Sequence, residues 1–205
     1  MKIFAISDIV VDWIYNPNIR SLLSDFDLVI GCGDLPQYYL EFVVSTLDIP
    51  VFNVHGNHSQ TVTNEMHKDD YYHGIVNLHC RVKHLKGYSF AGVEGSIRYN
   101  DGKFQYSQYE MWLNVIRLVP SLLLNRINSP HYLNVFVSHA PPWGIQDQFD
   151  YAHQGIKAFR WLINRFQPAY HLHGHVHVYR PDTPIETQFG KTKVVNTYGY
   201  QKITM

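Results

Sequence analysis

Carboxylates, an amide and imidazoles recur along this chain in five short islands: Ser7-Asp8, Gly33-Asp34, Gly56-Asn57-His58, Ser138-His139 and Gly174-His175-Val176-His177. Each sits where an apolar, strand-like run ends. Asp8, Asp34, Asn57, His139, His175 and His177 together offer carboxylate oxygen, amide oxygen and imidazole nitrogen without thiolate, a donor set that suits Mn, Fe or Zn. Calcium would call for more oxygens. His175 and His177 lie two apart, so in an extended segment both rings leave the same face and can serve two adjacent ions. A carboxylate can bridge such a pair at about 3.5–4 Å separation, and Asp34, central in the series, is assigned that role. Singly, each island has a structural reading: Gly33-Asp34 as a turn with a capping Asp, Gly56-Asn57 as a tight turn, His139 before Ala140-Pro141-Pro142 as a strand end. Their order and placement together point to a two-metal hydrolase.

The elements that would position these residues can be read from the same pattern. Residues 2–7, 28–33 and 51–56 are short apolar runs separated by helical stretches over 19–26 and 36–47, a β-α-β-α-β opening whose crossovers join parallel strands. Asn16-Pro17-Asn18 supplies an N-cap and a proline near the first turn of one helix, and Pro36 opens the other. Residues 75–82, 84–85 and 88–93, punctuated by Gly87, Gly92 and Gly95, read as antiparallel strands. Glu110 to Ile127 reads as a buried helix kinked or broken at Pro120, and as the first place to look for an interface with a second copy. Residues 133–138 and 169–172 are again strands ending at histidine islands, with a helix over 155–166 between them. Residues 185–189 and 193–198 form a hairpin. In a largely parallel sheet, the loops after neighbouring strands open onto one crevice, which would bring the islands together.

Composition narrows the function. The 205 residues carry 17 Lys and Arg against 17 Asp and Glu, so there is no overall basic field for nucleic acid. No linker or composition break divides the chain, which reads as one domain over residues 1–205. The first apolar run meets Asp8 too soon for a secretory signal, and Asn114, Arg117 and Pro120 argue against a membrane span, so the expected compartment is the cytoplasm. Cys32 and Cys80 match no Cys-x-x-Cys spacing and are expected buried and reduced. Of the 13 histidines, His73, His79, His84 and His131 have no partner legible in the sequence and are read as structural.

The islands resemble the pattern of the calcineurin-like metallophosphoesterase superfamily, which runs Asp-x-His, Gly-Asp, Gly-Asn-His-Asp/Glu, His, Gly-His-x-His, and the resemblance extends from Asp8 to His177. It implies an α/β fold, a four-layer α/β/β/α sandwich of two mixed sheets. It further implies that Asp8, Asp34 and His177 hold one divalent ion and Asp34, Asn57, His139 and His175 a second. His58 would contact the phosphoryl group or protonate the leaving oxygen, with a hydroxide between the metals as nucleophile. The implied substrate is a small phosphate ester, a diester rather than a monoester because no cap domain is evident.

Two positions depart from the superfamily pattern. Val10 stands in place of the His of Asp-x-His, and Ser59 in place of the acidic residue after Gly-Asn-His. Valine cannot ligate, so the first site either keeps Asp8, Asp34 and His177 plus water or recruits another residue, such as nearby Asp12, and its ion is expected to bind more weakly. Ser59 deprives His58 of its usual carboxylate partner, although its hydroxyl can still hydrogen-bond. A second reading is a weakly active or inactive scaffold for protein interaction, as with the retromer subunit of the superfamily. Against it, six ligand positions and His58 are intact. Arg98, in the glycine-rich stretch 92–98, and His153 are further residues that could face a phosphate or line the cleft mouth; each also has a surface or helix-capping reading.

Overall fold

A computed structural model describes residues 1–59, 71, 72, 74–180 and 182–205, with only the backbone at 71 and 72. His73 lies outside the described residues. In chain order the elements are β1 (Lys2–Ser7), α1 (Ile19–Leu23), β2 (Leu28–Gly31), α2 (Gln37–Leu47), β3 (Val51–Asn53), β4 (Tyr71–Tyr72), β5 (Ile75–Asn77), β6 (Val82–Leu85), β7 (Tyr88–Val93), β8 (Ser96–Ile97), β9 (Gln105–Tyr106), α3 (Gln108–Asn128), β10 (Val135–Ser138), α4 (Lys157–Phe166), β11 (Tyr170–His173), β12 (Glu186–Phe189), β13 (Thr192–Asn196) and β14 (Gly199–Thr204). They build two mixed six-stranded sheets, ordered β14-β1-β2-β3-β5-β4 and β12-β13-β11-β10-β7-β6, with β8 and β9 as a separate pair.

Alternation along the strands explains the layering. On β1, Ile3 and Ala5 point into the space between the sheets, where they meet Phe90, Val135, Val137, Leu172 and Val195 of the second sheet. Phe4 and Ile6 point the other way and pack on Ile19 and Leu23 of α1 and Tyr39, Leu40 and Val43 of α2. The outer face of the second sheet, through Ala91, Val93, Phe136 and Val194, buries Met111, Val115, Leu118 and Leu122 of α3 and Phe159, Leu162 and Ile163 of α4. Because both faces of each sheet are covered, the central strands read as continuous apolar runs. The result is the four-layer α/β/β/α sandwich.

The two sheets run parallel through β1-β2-β3-β5 and β7-β10-β11-β13 and carry antiparallel strands at their edges. This corrects the antiparallel reading of residues 75–96. Within it β6 and β7 form an antiparallel hairpin, whereas β5 joins the other sheet between β4, to which it is antiparallel, and β3, to which it is parallel. Short strands of either sense share the same apolar pattern, so periodicity could not separate them. The expected strands over 28–33 and 51–56 stop at Gly31 and Asn53, and their last residues instead form the loops that carry Asp34 and Asn57. β14 closes the chain's end onto β1 along its whole length.

Helix α3 corrects the expectation of a break at Pro120. It is one unbroken helix of 21 residues with Pro120 inside. Proline deprives the Ile116 carbonyl of its partner, but Ile116 is 52% exposed and Pro120 is exposed too, so water can take that bond. A capping box starts the helix two residues earlier than expected. Ser107 Oγ accepts from the Glu110 amide at 3.2 Å and Glu110 Oε2 accepts from the Ser107 amide at 2.7 Å. On α1, the expected asparagine cap is absent: Asn18 makes no side-chain cap bond, and Asn16 Oδ1 accepts from the Asn18 amide instead.

Candidate metal centre

The loops after β1, β2, β3, β10 and β11 meet at one end of the sandwich and are tied together by backbone bonds. Asp8 N donates to Gly33 O at 3.1 Å, Gly174 N to His139 O at 3.0 Å, and Gly95 N, after β7, to His55 O at 2.8 Å. The last of these joins the two sheets. Close approach demands glycine here: a Cβ on Gly56 would run into Asp34 Oδ1 and lie 2.6 Å from Asp34 N, and one on Gly174 would lie 2.5 Å from Asp8 Oδ2. Asp8, Asp34 and His175 all adopt positive φ, at 68°, 54° and 68°. Such conformations cost on the order of 1 kcal/mol each, and concentrate where function fixes the backbone.

The ligand atoms of Asp34, His139 and His175 lie within 4.8 Å of one another, the one such cluster of three among the described residues. Asn57 adjoins it, with Oδ1 3.0 Å from His139 Nε2. Outer hydrogen bonds choose which imidazole nitrogen faces inward. His139 Nδ1 donates to Cys32 O at 2.9 Å, which leaves Nε2 directed at Asp34 Oδ2, 3.2 Å away. His175 Nε2 donates to Ala152 O at 2.9 Å, which leaves Nδ1 as the donor atom. Carbonyl partners of this kind fix ring orientation and tautomer in metal sites. Four donors of the right type, held by outer bonds and backed by glycines, fit a divalent cation.

The remaining sequence-predicted residues sit beside this cluster in a looser arrangement. Asp8, its side chain 1% exposed, accepts from His175 N through Oδ1 at 3.0 Å. His177 Nε2 is 3.9 Å from Asp8 Oδ1, and its Nδ1 is 2.6 Å from Tyr179 Oη. Val10 turns away and packs against the α1/α2 core. Asp12 is exposed and belongs to no metal-competent cluster among the described residues. His58 is exposed at the rim, its amide donating to Asp34 Oδ1 at 2.7 Å.

Electrostatics separate these groups. Burial opposes ionisation of Asp34, yet the His139 ring beside it and the His58 amide bond overcome that and hold its carboxyl down at about 2. His139 is likewise opposed by burial, but Asp34 and Asp8 raise it to about 9. Burial drives His175 down to about 3, keeping a neutral imidazole ready to ligate. Burial also raises Asp8.

Some residues fall elsewhere. Arg98 is a surface residue paired with Glu110, at 3.1 and 3.0 Å from its two carboxylate oxygens. The Ser59 hydroxyl accepts from Gly56 N at 2.8 Å and so closes the turn rather than supporting His58. His153 lines the cluster without capping α4: its Nδ1 is 2.8 Å from Asp150 Oδ1, and its ring is 5.0 Å from that of His175. Sequence reasoning missed Tyr99, whose hydroxyl lies 3.3 Å from His58 Nε2 and accepts from Asn57 Nδ2 at 2.9 Å. No motif marks it, since it stands 41 residues along the chain from His58.

Solved structures share this architecture. TT1561 of Thermus thermophilus superposes with a TM-score of 0.67 at 17% identity, covering 97% of this chain and 89% of that one. A hypothetical protein from the same organism gives 0.55 at 17% identity, over 96% and 75%. GAP50, the anchor in the inner membrane complex of Plasmodium, gives 0.51 at 9% identity, over 96% and 70%. These likenesses show a shared fold. Over residues 1–179 the sequence matches the family model for calcineurin-like phosphoesterases, and the chain belongs to that family. UPF0046 protein K07C11.7 of Caenorhabditis elegans is 44% identical over 48 residues, 23% of this chain and 17% of that protein.

Proposed function

We propose that the chain hydrolyses phosphate esters with the help of two divalent cations, Mn, Fe or Zn by donor type. The observation that carries this reading is the convergence of Asp34, His139 and His175 donor atoms within 4.8 Å, with Asn57 beside them and His58 at the rim. Asp34, Asn57, His139 and His175 would hold one cation, and Asp8, Asp34 and His177 the other. When bound, the cations would lower the pKa of a water and neutralise charge developing on the phosphoryl oxygens. His58, exposed at the rim and anchored through its amide to Asp34, would donate a proton to the departing oxygen. Between phosphate esters, a diester is favoured over a monoester.

Val10 and Ser59 support a second reading, a catalytically weak scaffold for protein interaction, and GAP50 is described as an anchor on the same fold. The two separate in one assay, hydrolysis of bis-p-nitrophenyl phosphate against p-nitrophenyl phosphate with Mn²⁺, Fe²⁺ or Zn²⁺. Faster turnover of the diester supports the first reading, and no turnover with any ion supports the second.

Among the described residues, no helix is long and apolar enough to cross a membrane. Unbridged Cys32 and Cys80 suit a reducing compartment such as the cytoplasm. The exposed outer face of α3, with Leu113, Ile116, Leu123, Leu124 and Ile127, is where a homo-oligomer through residues 110–127 would form.

A further inference from the structure

His58 lacks the acidic neighbour of the superfamily pattern, and the Ser59 hydroxyl is committed to Gly56 N. Tyr99 reaches His58 from a different part of the chain. Its phenolic oxygen accepts from Asn57 Nδ2 at 2.9 Å and lies 3.3 Å from His58 Nε2. We propose that Tyr99 is a positioning residue that stands in for the missing acid, orienting His58 and Asn57 together through one hydroxyl. The proposal rests on the phosphoesterase reading above for its catalytic consequence.

The loop that presents Tyr99 is built to hold it still. It runs between β8 and β9, which pair outside both large sheets. Gln105, 5% exposed, accepts through Oε1 from the amides of Tyr99 at 3.0 Å and Asn100 at 3.2 Å. Its Nε2 donates to Asn100 Oδ1 at 2.6 Å, and that oxygen also accepts from Gly102 N at 2.8 Å. Arg98 N donates to Tyr106 O at 3.0 Å and closes the base of the loop. A small pair of strands and four internal bonds thus fix the point from which one side chain reaches the site.

The direction of each bond follows from what each group can give. The Asn57 amide nitrogen is donor only, so it fills a lone pair of the phenol and leaves Asn57 Oδ1 facing His139 and the metal position. The phenol hydrogen is then available to His58 Nε2. That places the proton of neutral His58 on Nδ1, the nitrogen left to face a leaving oxygen. A carboxylate would orient the ring and also add charge. A phenol orients it without charge.

Tyr99→Phe removes the hydroxyl and keeps the ring. In the metal-free full-length chain, long-range ¹H–¹⁵N spectra should show His58 Nε2 unprotonated and hydrogen-bonded in the wild type, and a mixture of tautomers in the variant. With Mn²⁺, kcat should fall about tenfold for a diester with an alkyl leaving group and less than about threefold for one leaving as p-nitrophenolate, with KM unchanged. A merely structural role would lower both alike. An unchanged His58 spectrum, or equal losses for the two leaving groups, would overturn the proposal. If the wild type hydrolyses neither ester, the phosphoesterase reading fails, while the spectrum still decides whether Tyr99 holds His58.

Discussion

Burial acts on Asp8, Asp34, His139 and His175 at the loop end of the sheets, and local partners decide whether it prevails. At Asp34 it loses to His139, and the carboxylate stays charged; at His175 it wins, and the imidazole stays neutral. Glu94, 4% exposed after β7, is a case where burial wins outside the candidate ligands. Desolvation raises its carboxyl to about 7 against the lowering effects of the Tyr106 hydroxyl, 2.7 Å away, and Arg81. Its folded-state pKa lies above the unfolded value, so its contribution is fully favourable below pH about 4.5 and is lost as pH rises through about 7. The loss is on the order of 3 kcal/mol. Glu94→Gln keeps an acceptor for Tyr106 and cannot ionise. Its Tm should match wild type at acidic pH and exceed it by several degrees at mildly alkaline pH; parallel Tm–pH curves for the two proteins would refute the assignment.

Among elements, the strand-to-loop junctions do more for the site than the strands themselves. Gly56, after β3, presses on Asp34, after β2, so that two adjacent strands share one tight contact. Gly56→Ala should displace the Asp34 carboxylate, weaken Mn²⁺ binding by about 10- to 100-fold in calorimetric titration, and leave the far-ultraviolet circular dichroism spectrum unchanged. Unaltered affinity would show that the contact is slack. These junctions are also where the sequence was most legible, because ligand-type residues directly after apolar runs are a local signal. Strand sense in 75–96 and the continuity of α3 through Pro120 were not legible, since they depend on which sheet a strand joins and on which side of a helix meets water. Tyr99 was hidden for the same kind of reason: its partner His58 is local to β3, while Tyr99 itself is delivered by the β8/β9 loop.

At the scale of the whole molecule, two sheets pool their loop ends into one site, and they do so unevenly. Asp34 and Asn57 come from the first sheet and His139 and His175 from the second, and their donor atoms already converge. Between Asp8 and His177 the contact is longer, and Val10, partly buried, packs against the core beside α1 and α2. Mn²⁺ titration of the metal-free protein should therefore show one tight equivalent and a second at least about tenfold weaker, which Val10→His should strengthen. Two equal equivalents in the wild type would speak against this asymmetry. The central claim, that cations held by Asp34 and its neighbours drive phosphate-ester hydrolysis, is tested most directly by the rate of Asp34→Ala on bis-p-nitrophenyl phosphate at saturating Mn²⁺. The account predicts a fall of at least about a thousandfold from a metal-dependent wild-type rate; a variant that keeps its rate within about tenfold of wild type would contradict it.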